Sequence, residues 1–148
     1  MKIAILISRV LLGMGFIIFG LNILHPFITT PPPPAGSLTA QFVAVMVPSH
    51  WMLLVGVLQL LGGLLVLIGG TTPLGLVLLG PILVNILAFH IFIQRGQGIA
   101  PGFVFSIFEI FLIYAYRGYF HAIFTVHALP TSSEATVPHE TLIAQPQK

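Results

Sequence analysis

PSHWMLLVGVLQLLGGLLVLIGGTTPLGLVLLGPILVNILAFHIFIQ, residues 48–94, contains no Lys, Arg, Asp or Glu, and that freedom from charge extends back to Val10. A water-soluble surface cannot be built from such a run. The stretch reads as two apolar helices, Pro48–Gly70 and Pro73–Gln94, each close to the roughly 20 residues that cross a bilayer. Between them Gly69-Gly70-Thr71-Thr72-Pro73 makes a tight turn with proline at a helix start. So short a connection sets the two helices antiparallel.

Working outward, two further segments have the same character: Ile3–His25 before the stretch and Ile99–Phe120 after it. Ile3–Leu24 reads as a retained helix and not as a signal peptide, because its apolar run exceeds an h-region and no small-x-small cleavage site follows directly. Arg95-Gly96-Gln97-Gly98 is a polar loop. Pro31–Pro34 stop any helix in the first connection. After them Leu38, Phe42, Val43 and Met46 share one helical face, with Ser37 placed as N-cap, so Leu38–Met46 is expected as a short interfacial helix over the outer mouth of the bundle. The expected fold is an all-α membrane protein: an antiparallel four-helix transmembrane bundle over 1–122, spans about 3–25, 48–70, 73–94 and 99–120. A disordered polar tail is expected over 129–148.

Composition agrees. Hydrophobic residues make up 57% of the 148 and charged residues 5%, against about 25% charged in soluble domains. The lipid bilayer is therefore the first partner. With no cysteine, thiol redox chemistry, iron–sulfur clusters and Cys-type zinc sites are excluded. No basic patch with interleaved aromatics points to nucleic acid. The inner flanks hold Lys2, Arg9 and Arg117 and the outer ones Arg95, so a bacterial inner-membrane location with both termini cytoplasmic is expected.

Polar groups inside the spans are costly and mark the candidate sites. Gln59, Asn85 and Glu109 lie ten to twelve residues into their segments, near mid-bilayer at about 1.5 Å per residue. Gln59 sits between Gly56 and Gly63 on one face. Glu109, Tyr116 and Arg117 share a face of the last helix. Arg9 enters the first helix within plausible reach, so Glu109 is expected to face Arg9 or Gln59 inside the bundle. A buried polar pocket of Arg9, Gln59, Asn85, Glu109, Tyr116 and Arg117 is the result. It reads either as a site for a small polar or quinone-like ligand or a proton relay, or as an ion pair with amide bonds that holds the helices together. Asn22, His25, His50 and His90 gather toward the outer ends as a second cluster; their spacing does not favour a metal or haem site. His121 and His127 fall on the inner side and His139 in the tail. Pro81, one turn before Asn85, is expected to bend the third helix.

Five stretches in order carry a resemblance: SRVLLGMGFIIFGLNIL (8–24), AGSLTAQFVAVM (35–46), LQLLGGLLVLIG (58–69), GPILVNILAFHIF (80–92) and FEIFLIYAYRGYF (108–120). Together the chain resembles the DoxX family of small four-helix bacterial membrane proteins over about residues 4–120. The resemblance implies an accessory or anchoring subunit of a membrane redox complex, such as a thiosulfate:quinone oxidoreductase or a terminal quinol oxidase, with quinone as the implied cofactor class. Arg9, Asn85 and Glu109 match the family pattern. Gln59 departs from it where relatives often carry glutamate, which removes one member of any carboxylate pair. No sequence feature makes the chain an enzyme on its own. The alternatives are a small transporter or channel, and a structural or assembly factor without ligand.

Overall fold

The computed structural model describes residues 1–121, and among these every regular element is helical. α1 is Lys2–Leu24, α2 Leu38–Met46, α3 Trp51–Leu67, α4 Thr72–Ala88, α5 Ala100–Ala115 and α6 the four residues Arg117–Phe120. A 3₁₀ turn, Gly69–Thr71, joins α3 to α4, and a π turn, Phe89–Ile93, prolongs α4. The tail expected over 129–148, with His127 and His139, lies outside the described residues.

α1 packs on α3, α3 on α4, α4 on α5, and α5 returns to α1. This closed ring surrounds a core of Leu12, Phe16, Val66, Leu76, Leu79, Leu83, Leu112 and Phe120. The α1–α3 contact is the most extensive, and glycines meet there. A Cβ on Gly63 would stand 2.7 Å from the Gly13 carbonyl oxygen, and one on Gly20 2.9 Å from that of Gly56. Small residues of this kind let helix backbones touch and gain dispersion where hydrophobic association is weak.

Lys2–Leu24 and the continuous run Gly69–Ile93 are each long and apolar enough to cross a membrane. α2 and α3 meet at 83° and make a third crossing if taken as one broken span. The sequence leads one to expect four, and the shortfall has a geometric origin. α3 has 17 residues and α5 has 16, so they rise about 26 and 24 Å against a hydrocarbon core of about 30 Å. α3 begins at Trp51 because the chain turns a corner just before it, with His50 in the left-handed region at φ 60°. α5 ends at Ala115 because Tyr116 leaves helical geometry at φ −100°, ψ 14°.

Other local expectations have clear outcomes. Ser37 Oγ accepts from the Ala40 amide at 3.1 Å, which caps α2 where the spacing places it. α4 runs on through Pro81 and departs from α geometry only two turns later, in the π turn. There the Phe89 amide is shared between the carbonyls of Asn85 and Ile86.

Candidate functional site

The polar residues of the expected spans do not form one pocket. Arg9 turns to the end of α3: its Nε donates to the Val66 carbonyl at 3.1 Å and its Nη2 to that of Leu67 at 2.6 Å. Thr72 Oγ1 donates to the same Val66 oxygen at 3.1 Å and Thr71 Oγ1 to the Leu65 oxygen at 2.8 Å. The last carbonyls of a helix have no intrahelical donor and carry the negative end of its dipole. A cation and two hydroxyls answer both needs. This placement corrects the expected pairing of Arg9 with Glu109: the carbonyls of α3 lie beside α1 and offer the guanidinium fixed acceptors.

Glu109 does face the interior, at 3% exposure. It has neither expected partner: both carboxyl oxygens are buried without a hydrogen bond among the described residues. Oε1 lies over α4 at Gly80, where an added Cβ would come within 3.1 Å of it. Tyr116 caps α5 and packs its ring against Tyr119 at 6.2 Å. Arg117 is exposed, stacks on Tyr114 at 4.6 Å and donates to the Tyr114 carbonyl.

Gln59 and Asn85 belong to a different place. With Asn22 and His90 they line a cavity of about 570 Å³ at the α2 end of the bundle. The expected midplane and outer clusters are therefore partly one site, divided otherwise than their depths suggested. Arg9, Glu109, Tyr116, Arg117, His25 and His50 are not on its wall. His25 and His50 are exposed at the ends of α1 and α3, and no three His, Asp or Glu among the described residues gather as metal ligands.

The wall is mainly aromatic and aliphatic. Phe16, Phe19 and Phe105 pack with ring centroids 5.6 and 5.9 Å apart. α2 roofs the cavity with Phe42, Val43 and Met46, and Phe42 meets Phe89 of the π turn at 4.9 Å. Trp51, the single tryptophan, also lines it. No Lys, Arg, Asp or Glu does. Asn22 Oδ1 accepts from the amides of Phe27 and Ile28 at 3.0 and 2.7 Å, and His90 Nδ1 contacts the Gln97 carbonyl at 2.9 Å. Gln59, 3% exposed, has its Oε1 buried with no partner among the described residues.

No protein family, curated protein or solved structure matches the chain.

The geometry separates the two readings of the buried polar groups. Groups retained to fasten helices together would be bonded across them. Gln59 Oε1 and both Glu109 oxygens are the buried side-chain atoms left without partners among the described residues. An unpartnered buried polar group costs about 1–3 kcal/mol. Glu109→Leu, similar in size and apolar, should therefore stabilise the protein by roughly that amount, read as a higher midpoint of thermal unfolding in detergent. A lower midpoint would restore Glu109 as a fastening group.

Sequence reasoning missed the cavity, the π turn and the ring contact that joins it to α2. One signal was present. Phe16, Phe19, Phe42, Trp51, Phe89 and Phe105 all fall toward the same end of an up-down arrangement, whereas the core at the other end is built mostly of leucine.

Proposed function

We propose that the chain is a four-span inner-membrane protein of DoxX type that holds an apolar, quinone-like ligand in the cavity. It would act as an accessory or anchoring subunit of quinone-linked membrane redox chemistry. The observation that carries this reading is the cavity itself: about 570 Å³, walled by rings and aliphatic chains, with a few neutral polar groups and no formal charge. Sites for small organic ligands have this size and make-up. A flat ring bearing carbonyl or hydroxyl oxygens matches it, since the rings stack on aromatic walls and the oxygens need neutral donors or acceptors.

Trp51 supplies the test. A short-chain quinone titrated into the detergent-purified protein should quench its fluorescence along a saturating curve, and an excess of a non-quenching ring compound of the same shape should relieve the quenching. A strictly linear loss, insensitive to the competitor, marks collision in the micelle and overturns the reading.

In this proposal α1, α3, α4 with its π turn, and α5 continued by α6 cross the bilayer, and α2 lies along the outer interface over the cavity. Lys2 and Arg117 then fall on the cytoplasmic side and Arg95 outside. Alkaline phosphatase fused at the C-terminal end should be inactive in a bacterial host, and fused within the 95–98 loop it should be active. The opposite pattern refutes this topology.

A further inference from the structure

We infer that Gln59 is the selectivity determinant of the cavity: its carboxamide recognises a ring-borne oxygen, as donor to a carbonyl or as acceptor from a hydroxyl, so oxidised and reduced forms of one ligand are held alike. The inference rests on the cavity being the ligand site proposed above and goes beyond it by naming the residue and the chemistry it selects.

Elimination among the wall's polar groups leads to Gln59. Asn22 is engaged with the chain leaving α1, and His90 with the 95–98 loop. Thr30, Asn85 and Trp51, whose indole N–H is the wall's other donor, are exposed. Gln59 alone among them is buried, and its Oε1 has no partner among the described residues. Its position is fixed as well. Gly56 and Gly63, one turn to either side, press against Gly20 and Gly13 of α1. The backbone carrying Gln59 is therefore clamped to a neighbouring helix and cannot drift away from a ligand. Supporting contacts of this kind hold a recognition group ready and reduce the ordering that binding requires.

The chemistry follows from the carboxamide. One end donates and the other accepts. A half-turn about its last torsion exchanges them with no change in shape, and that torsion is broad and nearly two-fold. A carboxylate or a lysine in the same place would favour one partner type. An amide answers both a carbonyl and a hydroxyl, and a ligand with neither leaves the buried group as unsatisfied as before.

Three compounds of one shape test this: duroquinone, durohydroquinone and durene, which share the tetramethylated ring and carry two carbonyls, two hydroxyls and no oxygen. Duroquinone is followed by quenching of Trp51, and the other two by their displacement of it. In the unaltered protein the two oxygenated compounds should bind within about threefold of each other. Durene should bind roughly 10- to 100-fold more weakly, as expected when a buried polar group stays unpaired. Gln59→Leu should bring both oxygenated compounds to the level of durene and leave durene unchanged. Gln59→Met, closer in shape, repeats the measurement, and far-UV circular dichroism confirms that both variants keep their helices. Durene binding as tightly as duroquinone, or an oxygen preference that survives both substitutions, overturns the role of Gln59 while the cavity still binds rings. Absence of saturable binding by all three overturns the ligand site itself.

Discussion

Arg9→Met should lower the stability of the folded bundle by roughly 2–5 kcal/mol, among the largest effects of any single substitution in the chain. The methionine stem fills the same space, so the loss isolates the guanidinium. Without it the Leu67 carbonyl loses its donor and the Val66 carbonyl keeps only the Thr72 hydroxyl. Both belong to the last turn of α3, which has no intrahelical donor to replace it. Arg9→Lys should recover part of the loss, since an ammonium supplies charge but not the planar fork that reaches two oxygens at once. Thermal unfolding in detergent measures both variants. Combined with Glu109→Leu, the effect of Arg9→Met should be additive within about 0.5 kcal/mol, the behaviour of groups that share no partner. A coupling of several kcal/mol would mean that the two form an ion pair after all.

Gly63→Val should be comparably severe. The first carbon of the new side chain would stand 2.7 Å from the Gly13 carbonyl oxygen and 3.2 Å from the Ile17 amide nitrogen. Both are backbone atoms of α1, so no rotamer relieves the clash and the helices must separate. Overpacking costs about 1–3 kcal/mol when side chains can yield, and more when they cannot. More than about 3 kcal/mol is expected here. The same replacement at Gly70, where an added Cβ meets nothing within 4 Å, should cost less than about 0.5 kcal/mol. Equal effects at the two positions would show that the α1–α3 contact is not what the loss at Gly63 measures.

Much of this architecture is legible in the residues because it depends on local rules. Pro31–Pro34, the Gly69–Pro73 turn and the Arg95–Gly98 loop mark the connections, and Ser37 marks the start of α2. The register of glycines around Gln59 foretells a close helix contact, though not which helix supplies it. What was not legible depends on partners chosen in three dimensions. Arg9 and Glu109 are the only opposite charges well inside the first and last expected spans, and pairing them is the natural expectation. A helix terminus is also an acceptor, however, and it carries no letter in the sequence. The guanidinium therefore went to the carbonyls of Val66 and Leu67. The cavity escaped notice for a similar reason. Apolar residues that pack and apolar residues that line a void look alike in one dimension, and only the corner at His50 brings α2 across the opening.

The partner of Arg9 also has a date of arrival. Its nearest acceptor lies 57 residues further along the chain. At about 5–20 residues per second of synthesis, Arg9 waits roughly 3 to 11 seconds before the Val66 carbonyl exists. During that interval the guanidinium has only water and lipid phosphate to bond, and a long side chain near a helix end reaches them by snorkelling. In the proposed topology it holds the start of α1 at the cytoplasmic surface until α3 emerges. In that topology the same side chain serves first as an anchor in biosynthesis and later as a clasp, and the closing of that clasp cannot precede the synthesis of Val66 and Leu67.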